Sequence, residues 1–176
     1  MDTSAAFADP PHPKPERIAA PVRIEPVTWS DLRTVVAIQK QSFPARLAYG
    51  WSALVTLRLW PGVVFLVAKD PASGDVTGCC IGDRSRGSAR VMNLAVHPDW
   101  RRHGIGRALL QALGEAIPDG DMTLMVQEHN TGAQALYAAE GFIRSGTVLN
   151  YYGKGQHGIS MRKPRYAPIG TRTIIS

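Results

Sequence analysis

The segment RRHGIGR, residues 101–107, combines three arginines and two glycines directly before an apolar-periodic helix. The first turn of a helix presents backbone N–H groups without internal partners and a partial positive charge. Glycine lets a ligand approach the backbone closely, and arginine adds cationic charge. These features predict a site for a phosphate or pyrophosphate group. The Lys-Ser/Thr pair of a Walker loop and the third glycine of a dinucleotide fingerprint are missing, so a ligand-free basic helix start stays open.

A second segment, NTGAQALYAAEGF at residues 130–142, follows an apolar strand and predicts a helix that ends at Gly141. Asn130 opens this segment, and Tyr137 lies about two helical turns further along. A tyrosine phenol can donate a proton, but a tyrosine at this kind of position is also a common packing residue. The residues of this segment therefore leave both roles of Tyr137 open.

Two adjacent cysteines, Cys79 and Cys80, lie in an apolar run that predicts a buried strand. Neighbouring side chains of a strand point to opposite faces, so a disulfide between them is not expected. The sequence has no zinc-binding pattern, and we predict no metal site. Buried cysteine is usually an inert packing residue, so we expect no nucleophilic role for either thiol.

The elements that must position these residues follow a mixed order, β-α-α-β-β-β-α-β-α-β-β. This order predicts an α/β fold with a mixed sheet and helices on both faces. The strands are predicted at 22–27, 63–69, 76–82, 90–97, 122–127, 142–150 and 157–163, and the helices at 28–42, 51–60, 104–117 and 131–141.

The chain of 176 residues predicts one domain at 21–163, between a disordered arm at 1–20 and a loose tail at 164–176. The net charge of +6 suits an anionic ligand but is modest for a nucleic-acid binder, so we expect no nucleic-acid partner. No signal peptide or membrane-spanning run is recognisable, which predicts a cytoplasmic protein without a membrane partner.

The two glycine-containing segments together resemble the GNAT superfamily of acetyl-CoA-dependent N-acetyltransferases. NLAVHPDWRRHGIGRALL is similar to the R/Q-x-x-G-x-G/A motif of that family with its preceding strand, and NTGAQALYAAEGF is similar to the N-x-x-A-x-x-L-Y-x-x-x-G-F motif. The resemblance implies a GNAT fold, in which a mostly antiparallel sheet splays between its fourth and fifth strands. It also implies that acetyl-CoA is the cofactor and that it lies in this gap.

The resemblance further implies roles for individual residues. Tyr137 would act as the general acid that protonates the departing thiolate of coenzyme A. The cofactor would be bound by residues of the fourth strand, of the glycine-rich segment and of the second motif, namely Leu94, Ala95, Val96, Arg101, Arg102, His103, Gly104, Ile105, Gly106, Arg107, Asn130 and Tyr137.

Two further segments resemble the N-terminal protein acetyltransferases, including the bacterial ribosomal-protein alanine acetyltransferases. SFPARLAYGW is similar to their FP-x-x-Y loop, although Tyr49 comes later than in the motif, and NYYGKGQHGISMRK is similar to their NYY hairpin. The resemblance implies that the acceptor is bound by Phe43, Pro44, Tyr49, Asn150, Tyr151 and Tyr152. Packing of aromatic residues within the hairpin is the alternative.

One position departs from the ribosomal-type enzymes, which have a glutamate general base five residues before the motif asparagine. Here that position is Met125, which cannot accept a proton. His129 could serve instead, or His129 and Glu128 could both be solvated loop residues, and a water chain or deprotonation in bulk solvent could also suffice.

These observations predict an N-acetyltransferase that acts by direct transfer on the α-amine of a protein or peptide. A small amine such as a polyamine, an amino acid or an antibiotic is the second hypothesis. A non-catalytic acyl-CoA-binding protein is the third. The protein is expected to be a monomer or a homodimer.

Overall fold

The computed structural model describes residues 22–165, which form four helices and one seven-stranded sheet. The predicted arm at 1–20 lies outside the described residues, as does the predicted tail beyond Arg165. The strands are β1 Arg23–Pro26, β2 Val63–Lys69, β3 Val76–Ser85, β4 Ser88–Val96, β5 Met122–Gln127, β6 Ile143–Gly153 and β7 Gln156–Lys163. The helices are α1 Leu32–Ser42, α2 Trp51–Leu59, α3 Ile105–Ala116 and α4 Thr131–Ala139, with a 3-10 turn at Pro98–Trp100.

The predicted α/β order of elements is confirmed along the described residues. Only the 3-10 turn between β4 and α3 is additional, because three residues are too few to produce a periodic signal. The sheet order is β1-β2-β3-β4-β5-β7-β6, and every neighbouring pair is antiparallel except β4 and β5. The prediction of a mostly antiparallel mixed sheet is therefore also confirmed.

Helices cover both faces of this sheet, as predicted, and each face has its own apolar core. Ile105, Leu109 and Leu113 of α3 are buried in one core, whereas Leu32 and Ile38 of α1 are buried in the other. The three α3 residues recur at helical spacing, which gives one apolar stripe for the sheet. Both faces of the sheet are therefore covered by helices, so a ligand site can form only at its edges and strand ends.

The adjacent cysteines divide between these two cores. Cys80 is buried with α3, and Cys79 is buried with α1 on the opposite face. Burial raises the pKa of the Cys79 thiol to about 12, and it also raises the pKa of the Cys80 thiol. Both thiols are therefore neutral packing groups at physiological pH.

Arg165, two residues after the end of β7, packs against the end of α3. The Arg165 guanidinium donates to the carbonyl oxygens of Gly114 (2.7 Å) and Ile117 (2.7 Å), where α3 ends, and to Gly120 O (2.8 Å). The last carbonyls of a helix have no internal partners, so a guanidinium that binds them acts as a C-terminal cap. Across residues 22–165, no helix combines the length and the apolar character that a membrane span needs.

Candidate functional site

The β4 and β5 strands separate partway along their length. Their parallel pairing covers Ala89–Val91 against Met122–Leu124 and then ends. Beyond this point β4 still pairs with β3 as far as Val96, and β5 still pairs with β7 as far as Gln127. The facing backbone edges of β4 and β5 are therefore left unpaired across a gap, as the predicted splay requires.

A β-bulge lies where the gap begins. Val91 pairs with Gly82 and Asn93 pairs with Ile81, so Met92 is an extra residue on β4 with no partner on β3. A bulge bends its strand and increases the local twist. The bend turns β4 away from β5 and opens a cavity of about 550 Å³, which Leu94, Met125 and Tyr137 help to line.

The glycine-rich segment leads from the end of β4 into α3. Arg102 (φ 66°) and Gly104 (φ 77°) both have left-handed backbone conformations, and Gly104 is the N-cap residue without a side-chain cap. The N–H groups of the first α3 turn therefore have neither an internal partner nor a capping side chain. Together with exposed Arg101 and Arg102, they form a concave, electropositive backbone that suits a phosphate group.

The side chains of this segment are partly committed to the protein itself. Arg101 Nε donates to Val96 O (3.3 Å), and the His103 ring Nδ1 lies 2.9 Å from Arg101 O. Arg107 Nε donates to Glu140 Oε1 (2.5 Å), which joins α3 to the end of α4. Arg107 can thus offer its backbone N–H to an anion, while its charge is largely balanced by Glu140.

The α4 helix places Asn130 and Tyr137 at the cavity. Asn130 is the N-cap residue, and its Oδ1 accepts from Ala133 N (3.1 Å). Tyr137 is buried, with its ring 5.7 Å from that of Phe142. Burial raises the pKa of Tyr137, and Cys80 and Tyr152 raise it further, so the phenol stays protonated at physiological pH.

Four of the six predicted acceptor-binding residues line the same cavity. Phe43 and Tyr49 come from the α1–α2 loop, and Tyr151 and Tyr152 come from the end of β6. The Tyr152 hydroxyl donates to Met125 O (2.9 Å), and burial raises the pKa of Tyr152 to about 12. The structure therefore brings the two predicted aromatic segments together at one end of the gap.

The other two, Pro44 and Asn150, do not line this cavity: Pro44 opens a turn of the α1–α2 loop, and Asn150 lies in the irregular end of β6 before the hairpin turn. Pro44 O accepts from the backbone N–H groups of Leu47 and Ala48. Asn150 has a left-handed conformation (φ 55°), and its Oδ1 accepts from Gly155 N (2.7 Å). Asparagine tolerates this conformation and forms such turns readily, which explains why it occupies the hairpin.

The cavity also has wall residues that the sequence analysis did not identify. Arg46 reaches it from the α1–α2 loop, and Arg90 reaches it from β4. Arg90 forms two hydrogen bonds with Asp83, at 2.9 and 2.6 Å. Arg46 lies within the FP-x-x-Y-like segment but at a position that the motif leaves open, and Arg90 reaches the site through the register of β4.

No carboxylate and no imidazole from residues 22–165 lines the cavity. Met125, the position at which the resemblance implies a glutamate base, does line it. Glu128 and His129 are exposed in the turn after β5, outside the cavity wall. The described part of the chain therefore offers no acidic or imidazole base within this wall.

Comparison with known proteins agrees with this geometry. Residues 61–144 match the family model described as acetyltransferase (GNAT) domain. The chain is 28% identical over 131 residues to the ribosomal protein bS18-alanine N-acetyltransferase of Escherichia coli K12, an alignment that spans 69% of this chain and 88% of the relative. It is also 28% identical over 126 residues to the catalytic subunit of the N-terminal acetyltransferase B complex of Arabidopsis thaliana, with 68% and 72% of the two chains covered.

A solved structure gives the same result at the level of the fold. Ard1 from Thermoplasma volcanium superposes with a TM-score of 0.73 at 26% identity, covering 83% of this chain and 99% of that chain. The splayed sheet, the glycine-rich start of α3 and the family match agree with one another. The chain therefore contains a GNAT acetyltransferase domain, matched over residues 61–144, and acetyl-CoA is its acyl donor.

Proposed function

We propose that the protein transfers an acetyl group directly to the α-amine of a protein or peptide N-terminus. The observation that carries this proposal is the single cavity wall that joins the β4–β5 gap to Phe43, Tyr49, Tyr151 and Tyr152. Relatives named for acetylation of a ribosomal protein alanine and of protein N-termini support it. We further propose that the reaction takes place in the cytoplasm.

The donor side of the site fits acetyl-CoA, which supplies the reactive thioester when bound. Past Val91 the β4 edge that faces β5 is unpaired, so the backbone groups of Leu94 and Val96 can hydrogen-bond an extended, amide-containing arm as a neighbouring strand would, while Ala95 between them pairs with Cys79 of β3. The start of α3 would hold the pyrophosphate through the backbone N–H groups of residues 104–107, with Arg101 and Arg102 adding charge. His103 and Asn130 order the loops on either side.

Tyr137 is the proposed general acid. It lies in the cavity wall between β4 and β5, and its raised pKa keeps the proton on the phenol. In water a thiol is a stronger acid than a phenol, with pKa values of about 8.5 and 10. Burial raises the pKa of a thiol, as it does for Cys79. The pKa of the coenzyme A thiol that is released into this gap therefore rises as well, which makes its thiolate a better acceptor for the Tyr137 proton.

The missing side-chain base supports an α-amine as the acceptor. A free α-amine has a pKa of about 7.8, so about a third of it is neutral at pH 7.5. A lysine ε-amine has a pKa of about 10.4, so only about one molecule in 800 is neutral at that pH. A site without a base reacts only with the neutral amine. At equal total concentration, the reactive concentration of an α-amine is therefore more than a hundredfold higher than that of a lysine ε-amine.

The experiment that tests this proposal uses the full chain, acetyl-CoA and a mixed pool of acceptors. The pool contains peptides with free N-termini, matched peptides with blocked N-termini and an internal lysine, spermidine, an aminoglycoside and free amino acids. Mass spectrometry identifies which masses gain an acetyl group. We expect acetylation of the free N-termini only, and transfer confined to the small amines would overturn the proposal.

A further inference from the structure

The charges on the cavity wall are all of one sign. Arg46 and Arg90 line the cavity, and no aspartate or glutamate among residues 22–165 does so. The Arg90 charge is compensated, because both Asp83 oxygens accept from its guanidinium. Arg46 instead donates to the neutral amide oxygen of Gln156, and it has no ion pair with a carboxylate of the described residues. Arg46 thus carries an uncompensated positive charge at the cavity.

Arg46 lies where the two acceptor-side segments meet. It belongs to the α1–α2 loop, between Phe43 and Tyr49, and its partner Gln156 is the first residue of β7. The loop and the β6–β7 hairpin are therefore linked across the cavity by a hydrogen bond to a neutral acceptor. A carboxylate forms a stronger bond with a guanidinium than an amide oxygen does, so it can displace Gln156.

We infer that the preferred acceptor carries a carboxylate in the side chain of its second or third residue, and that Arg46 is the specificity-determining residue that binds it. This inference rests on the proposed transfer to peptide N-termini. The cavity of about 550 Å³ has room for only the first residues of an extended peptide. A basic side chain at these positions is repelled by the same guanidinium, so the discrimination combines attraction and repulsion.

Steady-state kinetics on matched peptides tests the inference. Four peptides differ only at position two or three, where each carries either Glu or Gln, and a fifth carries Lys at both. We expect kcat/KM to be about fivefold higher for Glu than for Gln at one of these positions, and lowest for Lys. The variants are Arg46→Gln, Arg46→Lys and Gln156→Ala, with Arg33→Gln as the control. Arg33 is exposed on α1 and outside the cavity wall, so its substitution removes the same charge elsewhere.

The variants separate binding of the carboxylate from a role in holding the loop. Arg46→Gln should remove the preference for Glu, so that the Glu and Gln peptides are acetylated at rates within about twofold of each other, whereas Arg33→Gln should keep the preference. Gln156→Ala should keep the preference, since it removes only the competing acceptor, and Arg46→Lys should keep part of it. Circular dichroism and melting temperature confirm that each variant is folded.

Equal rates for the Glu and Gln peptides in the unmodified protein would overturn the inference while leaving the proposed function intact. A preference that survives in Arg46→Gln would also overturn it. Turnover of free glutamate without turnover of any peptide would instead overturn the proposed function itself.

Discussion

Gln39 of α1 and Asn93 of β4 bind each other through both of their amide groups. Gln39 Nε2 donates to Asn93 Oδ1 (2.6 Å), and Asn93 Nδ2 donates to Gln39 Oε1 (3.2 Å). Both side chains are buried, and Gln39 Oε1 also accepts from Tyr49 N (3.4 Å). This pair therefore joins the strand just past its bulge to the loop that carries the acceptor-side residues.

Replacing one partner of this pair should destabilise the protein more than replacing both partners together. Gln39→Leu leaves the Asn93 amide buried without its partner, so we expect a loss of about 1–3 kcal/mol in the free energy of unfolding. The double variant Gln39→Leu with Asn93→Leu should recover part of that loss, because neither polar group is then stranded. Urea unfolding of the four proteins in the cycle measures this coupling. Strictly additive losses would contradict the role assigned to the pair.

Tyr137→Phe should slow acetyl transfer without preventing donor binding. Removal of a general acid lowers kcat by about 10² or more, while the buried ring and its contact with Phe142 are preserved. Steady-state kinetics gives kcat, and calorimetric titration with acetyl-CoA gives the dissociation constant. A variant with unchanged kcat would remove Tyr137 from the chemistry, and one that no longer binds acetyl-CoA would indicate a binding role instead.

The pH dependence should follow the acceptor rather than the enzyme. Without an imidazole or carboxylate base in the described cavity wall, kcat/KM should rise with pH and level off near the acceptor α-amine pKa of about 8. The raised pKa of Tyr137 keeps the phenol protonated beyond its usual pKa of 10, so activity should not fall through this group below pH 10. Two peptides with different N-terminal pKa values provide the check. Profiles that share one enzyme-derived inflection near pH 6.5 would indicate a histidine base.

Gly104→Ala should weaken donor binding. Gly104 has φ 77°, and a left-handed conformation costs a residue with a Cβ about 1–2 kcal/mol. The α3 start would relax to avoid this strain and would misplace the N–H groups that we propose hold the pyrophosphate, so we expect at least a fivefold rise in the acetyl-CoA dissociation constant. Gly132→Ala is the matched control, because its added Cβ meets nothing within 4 Å in α4. Equal affinity in both variants would argue against the anion site.

Arg165→Ala should reduce stability through the end of α3. The variant loses hydrogen bonds to the carbonyls of Gly114, Ile117 and Gly120, for an expected cost of about 1–2 kcal/mol. Arg33→Ala, which removes an exposed arginine of α1, is the control. Comparing the melting temperatures of the two variants separates the effect of losing the cap from the effect of losing a positive charge. A melting temperature equal to that of the control would show that the carbonyls find other partners.

The parts of the site that the sequence predicts are those set by short segments. The start of α3 and the α4 helix with Tyr137 follow from glycine, capping and apolar spacing within a few residues, and the structure has both. Arg46 and Gln156 meet across 110 positions, so only the closure of the loop on the hairpin brings them together. The bulge at Met92 depends on the register with β3, which no local pattern encodes. The role of Asn150 in acceptor binding stays a prediction from the resemblance, whereas its left-handed conformation and its bond to Gly155 N depend on the closure of the hairpin.

The splayed sheet also has a mechanical consequence. Each half of the sheet is a rigid unit, and between β4 and β5 the two halves are joined by only three residue pairs. An extended molecule that hydrogen-bonds both open strand edges holds the two halves of the sheet together and opposes their separation. Amide hydrogen exchange at Leu94 and Val96 should therefore slow when the gap is filled, and the two halves of the sheet should then unfold together rather than separately.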